Sequence, residues 1–349
     1  MHAAAPIRIA DNGGWTDTWF ARRGAVFNIA VRPRAEVVVQ VRSATAGCPP
    51  VVIHAADFGD RYAPRFDEGQ WERHPLLEAT IASCPPPSDL AIEVSVSCEV
   101  PPGAGTGTSA AVTIALLGAL AAVAGRKMTP AETARAAHAV EVERLKQQSG
   151  IQDQLASAYG GINLIEIHDY PQATVRRLRV SEETKRELER RLILVWLGGG
   201  HRSTALHERV INRLTGLGHE CEDLETLREA AYQAARAAES GRLEDLGLAF
   251  IANTEGQRRL HPDLVGRDAA RVIDVARAYG ASGWKVNGAG GDGGSLAILA
   301  PAADAARRAL AHEILQADPA YRILPITLDE TGLAVWDDPP GGDAPAAAR

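Results

Sequence analysis

The sequence predicts an α+β protein in two layers, divided into two domains. Three observations carry this. β-Branched, partly alternating runs fill much of the first hundred residues, strong helix formers follow them, and near residue 190 a charged helix gives way to a strand. A chain of 349 residues suits two domains at roughly 100–200 residues each. Its 46% hydrophobic content, with 37 Lys+Arg against 44 Asp+Glu, is that of a globular protein. The net charge of −7 argues against a general polyanion binder, because neutralising a nucleic-acid backbone takes a concentrated basic surface. No nucleic-acid partner is expected, and any phosphate is held locally.

Residues 24–45, GAVFNIAVRPRAEVVVQVRSAT, have strand composition, and residues 90–98, LAIEVSVSC, alternate again. Between them, the stretch 48–87 contains Pro, Gly and aromatics, is harder to assign, and is expected to contain loops. Residues 108–124, TSAAVTIALLGALAAVA, are apolar nearly all round, which predicts a buried helix stopped at Gly125. A second helix is expected over 129–146, opened by Thr-Pro with Glu132 in its first turn. Ser181 caps a charged helix, with Thr184 where a capping box has Glu, and the chain then turns into a strand at 192–197. This helix-to-strand change divides the chain into 1–190 and 191–337. Helices are expected at 203–216, 221–238, 241–255 and 265–279. A glycine-rich turn at 288–294, a strand at 295–299, a helix at 302–316 and strands near 321–327 and 333–336 complete the second domain. The tail 338–349 has the composition of disorder.

The four cysteines, Cys48, Cys84, Cys98 and Cys221, form no CxxC pair, so neither a zinc finger nor a secreted disulfide scaffold is indicated. A reducing cytoplasm fits best. The N-terminus reaches charged residues before any apolar run of signal-peptide length. The longest apolar stretch, 110–124, falls short of the roughly 20 residues that span a bilayer. Neither export nor a membrane partner is expected.

The most informative segment is VPPGAGTGTSAA, residues 100–111. Glycines after a strand let the backbone approach a ligand closely, exposed N–H groups then point at an anion, and the dipole of the following helix favours negative charge. It is not a Walker A loop, since no Gly-Lys-Ser/Thr follows, nor a dinucleotide fingerprint, since it starts Pro-Pro and lacks the later acid. Standing alone it could be an ordinary turn before a helix.

It does not stand alone. PPGAGTGTSAA resembles the second motif of the GHMP kinases (galactokinase, homoserine kinase, mevalonate kinase, phosphomevalonate kinase), Pro-x-x-x-Gly-Leu-Gly-Ser-Ser-Ala, with Thr106 replacing Leu and Thr108 replacing the first Ser. Residues 8–18, RIADNGGWTDT, resemble the first motif as found in the heptose 7-phosphate kinase and fucokinase branch. Residues 285–295, KVNGAGGDGGS, resemble the third motif, with Asp292 inserted among the glycines. GIQDQ at 150–154 is similar to the Gly-x-x-Asp-Gln signature of the family's sugar kinases, and Glu143-Arg144 resembles its Glu-Arg pair.

The resemblance implies a two-domain GHMP kinase-like fold, with a ribosomal-S5-like α/β N-terminal domain and a ferredoxin-like α+β C-terminal domain. It implies ATP phosphates over Pro102, Gly103, Ala104, Gly105, Thr106, Gly107, Thr108 and Ser109, and Mg²⁺ on Ser109 and Glu143. Asp153 and Arg8 become the catalytic pair. A sugar would meet Gly13, Gly14, Trp15, Thr16 and Asp17, together with Gly290 and Gly291. Here two glycines admit a ring, Asp17 accepts from two hydroxyls, and Trp15 or Trp19 either packs on an apolar sugar face or belongs to the core. Arg202, in LGGGHRS, offers a guanidinium fork to a phosphate or carboxylate unless it is simply a surface residue. His201 and His207 lack metal spacing, and KRELERR at 185–191 reads as a solvated helix face. The implied activity is ATP-dependent phosphorylation of a sugar or sugar phosphate, at the anomeric hydroxyl, by a monomer or homodimer. A kinase of a non-sugar alcohol, mevalonate- or homoserine-like, and a catalytically silent sugar or nucleotide sensor remain as alternatives.

Overall fold

The computed structural model describes residues 1–66, 70–199 and 203–337. Among the described residues two sheets organise the chain. The first is built on β1 (His2–Asn12) and the 20-residue β2 (Gly24–Ser43), which pair antiparallel. β3 (Val51–Ala55) and β4 (Asp60–Tyr62) extend it, and α1 (Pro75–Ser83) leads into β5 (Leu90–Cys98), which pairs with the second half of β2 and runs parallel to β3. The stretch that the sequence left hard to assign thus carries two short strands and a helix between its loops. One side chain gathers it: the Glu78 carboxylate accepts the backbone N–H groups of Glu72, Arg73 and His74 and the Tyr62 hydroxyl.

α2 (Thr108–Val123) is buried along almost its whole length, as its apolar sequence requires, and ends at Gly125 with φ +68°. α3 (Pro130–Ala139) opens with the expected Thr, capped reciprocally by Glu132, but it stops at Ala139. Residues Val140–Arg144 form a π-helical turn in place of the uninterrupted helix expected to 146. α4 (Gln152–Tyr159), β6 (Ile162–Asp169) and β7 (Gln172–Arg177) follow, and β6 pairs with the first half of β2. Capped by Ser181 as expected, α5 (Glu182–Arg191) passes straight into β8 (Leu192–Trp196).

α6 (Ser203–Leu217), α7 (Glu222–Glu239), α8 (Leu243–Leu260) and α9 (Arg267–Ala278) precede β9 (Gly283–Val286) and β10 (Ser295–Leu299). After α10 (Asp304–Ala317), β11 (Arg322–Leu324) completes a four-stranded antiparallel sheet in the order β11-β8-β10-β9. The last strands do not stay with it. β12 (Thr327–Leu328) pairs with β2 and β13 (Ala334–Trp336) with β1, so residues that the sequence groups with the second domain close the first sheet. Asp329, buried between them, holds this return through a two-pronged contact from Arg34 at 2.5 and 2.8 Å. The main core wraps β1 and β2 on one side with Ala-rich α7 and α8 and on the other with α2 and α4. No helix of the described residues is long and apolar enough to cross a membrane. The expected tail, 338–349, lies outside the described residues.

Candidate active site

The glycine-rich loop before α2 is shaped by backbone that side chains rarely adopt. Gly103, Gly105 and Gly107 have φ of +77°, +71° and +70°. Gly107 is the N-cap of α2, so the helix's unpaired N–H groups open beside the loop. The third motif supports it from the second sheet. Gly105 and Gly288 pack so closely that a Cβ on either would lie 2.9 Å from a backbone oxygen of the other loop. Ser295 donates to Ala104 O at 2.6 Å and receives Asn287 Nδ2 at 3.0 Å. On its other side the loop is tied to β1, where Arg8 N donates to Thr106 O at 2.9 Å.

Arg8, on β1, is buried and donates through Nε to Asp153 Oδ1 at 2.8 Å and through Nη1 to Gly105 O. Burial disfavours its charge, yet Asp153, Asp11 and Asp17 together raise its pKa above the ordinary value. Asp153 sits in the first turn of α4, partly exposed, and a Cβ on Gly107 would come within 3.3 Å of its carboxyl carbon. The pair therefore stands where the start of α2 meets a cavity of about 570 Å³.

That cavity is lined by Arg8, Asp11, Gly14, Trp15, Asp17 and Asp153 from the first half of the chain, by the segment 146–150, and by His207 and Glu208 from α6. Asp17 is buried, accepts Gln152 N at 3.1 Å, and lies so near Gly150 that a Cβ there would sit 2.0 Å from its Oδ2. Burial pushes its carboxyl up to about 6, against the pull of the Gln152 N–H and with further push from Asp153 and Asp11. Trp15, at φ +78°, packs edge-on against His207 with ring centroids 5.5 Å apart. Trp19 is exposed at the rim and donates to Gln148 Oε1 at 3.3 Å.

The acid nearest Asp153 on the π-helical turn is not Glu143, which faces solvent, but Glu141. Its Oε2 accepts from Ser149 Oγ at 2.5 Å and Gln154 Nε2 at 3.0 Å, while its buried Oε1 has no hydrogen-bond partner. Burial pushes Glu141 up to about 7, with Ser149 and Gln154 opposing and the Asp153 charge adding to the push. The physical reason that Glu141 is buried and Glu143 exposed is helical phase. Thr133, Ala134, Ala137 and His138 form the buried face of α3, and position 141 continues it at i+3 and i+4, whereas 143 is turned away.

Residues 76–161, spanning α1 through α4, match the family model of the GHMP kinases N terminal domain. Within those residues the chain carries a GHMP kinases N terminal domain. A mevalonate kinase of Methanothermobacter thermautotrophicus is 31% identical over 213 residues, 59% of this chain and 64% of that protein. A D-glycero-alpha-D-manno-heptose 7-phosphate kinase of Campylobacter jejuni is 26% identical over 207 residues, 58% of this chain and 60% of that protein. The chain thus spans less than two thirds of the length of these curated relatives. The fold is shared with a D-glycero-D-manno-heptose 1-phosphate kinase of Bacteroides thetaiotaomicron, with TM-score 0.74 at 19% identity over 97% of this chain and 99% of that one. It is also shared with Lactococcus lactis galactokinase complexed with galactose, with TM-score 0.74 at 15% identity over 95% and 94% of the two chains.

In this chain the structure brings together Arg8, Gly14, Trp15, Asp17 and Asp153 around one cavity, with the 103–109 loop beside it. Several sequence-marked residues do other work. Gly13 is a packing glycine, since a Cβ there would lie 1.9 Å from Ala25 O. Thr16 is buried and donates to Gly13 O at 2.7 Å, fixing the turn instead of facing the cavity. Gly290 and Gly291 pack on Leu264 and Val265, and it is Gly288 and Ala289 that line the cavity. Arg202 lies outside the described residues. Missed by sequence reasoning were Glu141, Asp11, His207 and a second, more apolar cavity of about 660 Å³, bounded by Phe66, Trp71, Ile81, Pro85 and Arg144. Arg144 closes the same π-helical turn that carries Glu141.

Proposed function

We propose that the protein is an ATP-dependent kinase that transfers the γ-phosphoryl group to a hydroxyl of a sugar or sugar phosphate, at the anomeric position. The observation that carries this is the Arg8–Asp153 contact of 2.8 Å at the junction of the phosphate loop and the 570 Å³ cavity. Phosphoryl transfer asks for alignment and charge neutralisation more than for covalent chemistry. The loop 102–109 and the start of α2 cradle the triphosphate with backbone N–H groups. The base lies in the second cavity, where Trp71, Phe66 and the Arg144 guanidinium suit a flat heteroaromatic ring. Asp153 accepts the hydrogen of the attacking hydroxyl and orients its oxygen. Arg8 holds Asp153 in place and offers positive charge to the transferring group. Asp17 anchors a second hydroxyl of the acceptor, and Trp15 walls the ring.

The donor set fits Mg²⁺. Glu141 offers a buried carboxylate oxygen without a partner, and Ser109 offers a hydroxyl in the first turn of α2. Glu141 and Ser109 would hold the ion, which would supply neutralisation of phosphate charge.

A sugar is favoured over mevalonate by the charges that line the acceptor cavity. Asp11, Asp17, Asp153 and Glu208 face Arg8, already paired, and Lys146, a balance that suits a neutral polyol better than a carboxylate. A sugar phosphate keeps its phosphate at the mouth, where Lys146 stands. The mevalonate reading is retained as the second, on the 31% identity to the Methanothermobacter enzyme. The test is ADP release with Mg-ATP and a panel of hexoses, fucose, heptose 7-phosphates and mevalonate. Turnover with a sugar and a loss of about 10³-fold or more in D153N, with ATP still bound, is the expected result. ADP with mevalonate alone overturns the sugar reading, and ATP binding without ADP from any acceptor overturns the kinase reading.

A further inference from the structure

Lys285 is completely buried, and no step described so far uses it. Its ammonium lies 3.2 Å from Asp11 Oδ1 and 3.3 Å from Gln257 Oε1 and also donates to Val286 O. Asp11, equally buried, accepts Gly288 N at 3.1 Å on both carboxylate oxygens. Arg8 Nη2 stands 3.9 Å from Asp11 Oδ2, while Arg8 Nε is 2.8 Å from Asp153. Four charges therefore alternate in sign from the second sheet to the phosphate loop: Lys285, Asp11, Arg8, Asp153.

Two carboxylates compete for one guanidinium. Asp11 is the more buried of the two, and attraction is stronger where water is excluded. An unneutralised Asp11 would draw Arg8 away from the partly exposed Asp153. We propose that Lys285 is a positioning residue that neutralises Asp11 and thereby leaves the Arg8 guanidinium to Asp153 and the phosphoryl group. Burial lowers the Lys285 pKa and the Asp11 carboxylate opposes that, so the ammonium depends on Asp11 in turn. Because Lys285 and Gly288 belong to the glycine-rich segment that also packs on Gly105, seating this segment aligns the catalytic pair as well as the phosphate loop. Lys285 is buried and lines neither of the two cavities described above.

This inference rests on the reading of Arg8 and Asp153 as the phosphoryl-transfer pair, and its test keeps the two separable. Crystal structures and turnover are compared for the full-length wild type, K285M and D11N/K285M. In K285M, Arg8 is expected to close its 3.9 Å gap to Asp11 and to open its 2.8 Å contact with Asp153. Turnover is then expected to fall about 100-fold, the usual cost of misplacing a catalytic group by an ångström. The double variant keeps an amide oxygen for Gly288 N–H but removes both charges, so Arg8 is expected back on Asp153 with about tenfold recovery over K285M. A purely structural role for Lys285 would give no such recovery. Should K285M not accumulate folded, K285Q, which keeps a donor without the charge, carries the same expectation. An unmoved Arg8 in the Lys285 variant, or no recovery in the double, overturns the proposal. A wild type inactive on every acceptor sinks the kinase reading, while the movement of Arg8 still decides this one.

Discussion

Replacing Glu141 with Gln tests the proposed metal position and the burial argument together. Burial raises the Glu141 pKa from an ordinary 4.5 to about 7, which corresponds to ~3 kcal/mol. An acid whose pKa is higher in the fold than in the unfolded chain favours the fold while it is protonated. That contribution is complete below about pH 4.5 and is lost as the pH rises through about 7. E141Q removes the loss and keeps an amide oxygen for the hydrogen bonds of Ser149 and Gln154. Without nucleotide, thermal unfolding should show E141Q above wild type by about 4–6 °C at pH 8, with the gap shrinking to about 1 °C at pH 5. Asp17, raised to about 6, slopes the wild type in the same direction, so E141Q flattens the profile without levelling it. With Mg-ATP the order reverses in function: E141Q should lose about 100-fold or more in turnover, whereas E143Q, on the exposed side of the turn, should stay within about twofold of wild type. Equal stability of E141Q and wild type at pH 8, or a collapse of turnover in E143Q, would refute the reasoning.

D17N should raise the acceptor KM by about 10- to 100-fold, as the loss of a charged hydrogen bond does, with the ATP KM unchanged in steady-state kinetics. G150A should act through the same residue, because its Cβ would lie 2.0 Å from Asp17 Oδ2, and an unaltered acceptor KM would contradict the packing. G105A forces a side chain onto φ +71° and to 2.9 Å from Asn287 O, so it should lower stability by about 1–3 kcal/mol and weaken ATP binding measured by calorimetry. W71A should raise the ATP KM about tenfold while sparing the acceptor. An effect on the acceptor alone would place the base elsewhere.

Much of this molecule was legible in the order of its residues. The glycines of 103–107 and 288–294 and Asp153 are local features, because left-handed backbone and a helix start are decided within a few residues. The same holds for the buried α2 and for the Thr129 cap. The burial of Glu141 was legible too, had the spacing of Ala134, Ala137 and His138 been followed to its next position. Other features have no local signature. Which glycines of the third motif face the cavity depends on Leu264, far off in sequence. The return of β12 and β13 to the first sheet depends on Asp329 meeting Arg34. The ordering of 48–87 depends on Glu78 reaching backward to three backbone N–H groups. By itself the sequence marked the residues in question: a glycine-rich loop before a helix, Asp153, and the Gly-Gly-Trp-Thr-Asp segment at 13–17. Only the tertiary structure decided which charges meet, since Lys285, Asp11, Arg8 and Asp153 are joined by contacts across up to 274 positions of chain. Burial, which sets the strength of those charges, exists only once both sheets have closed on them.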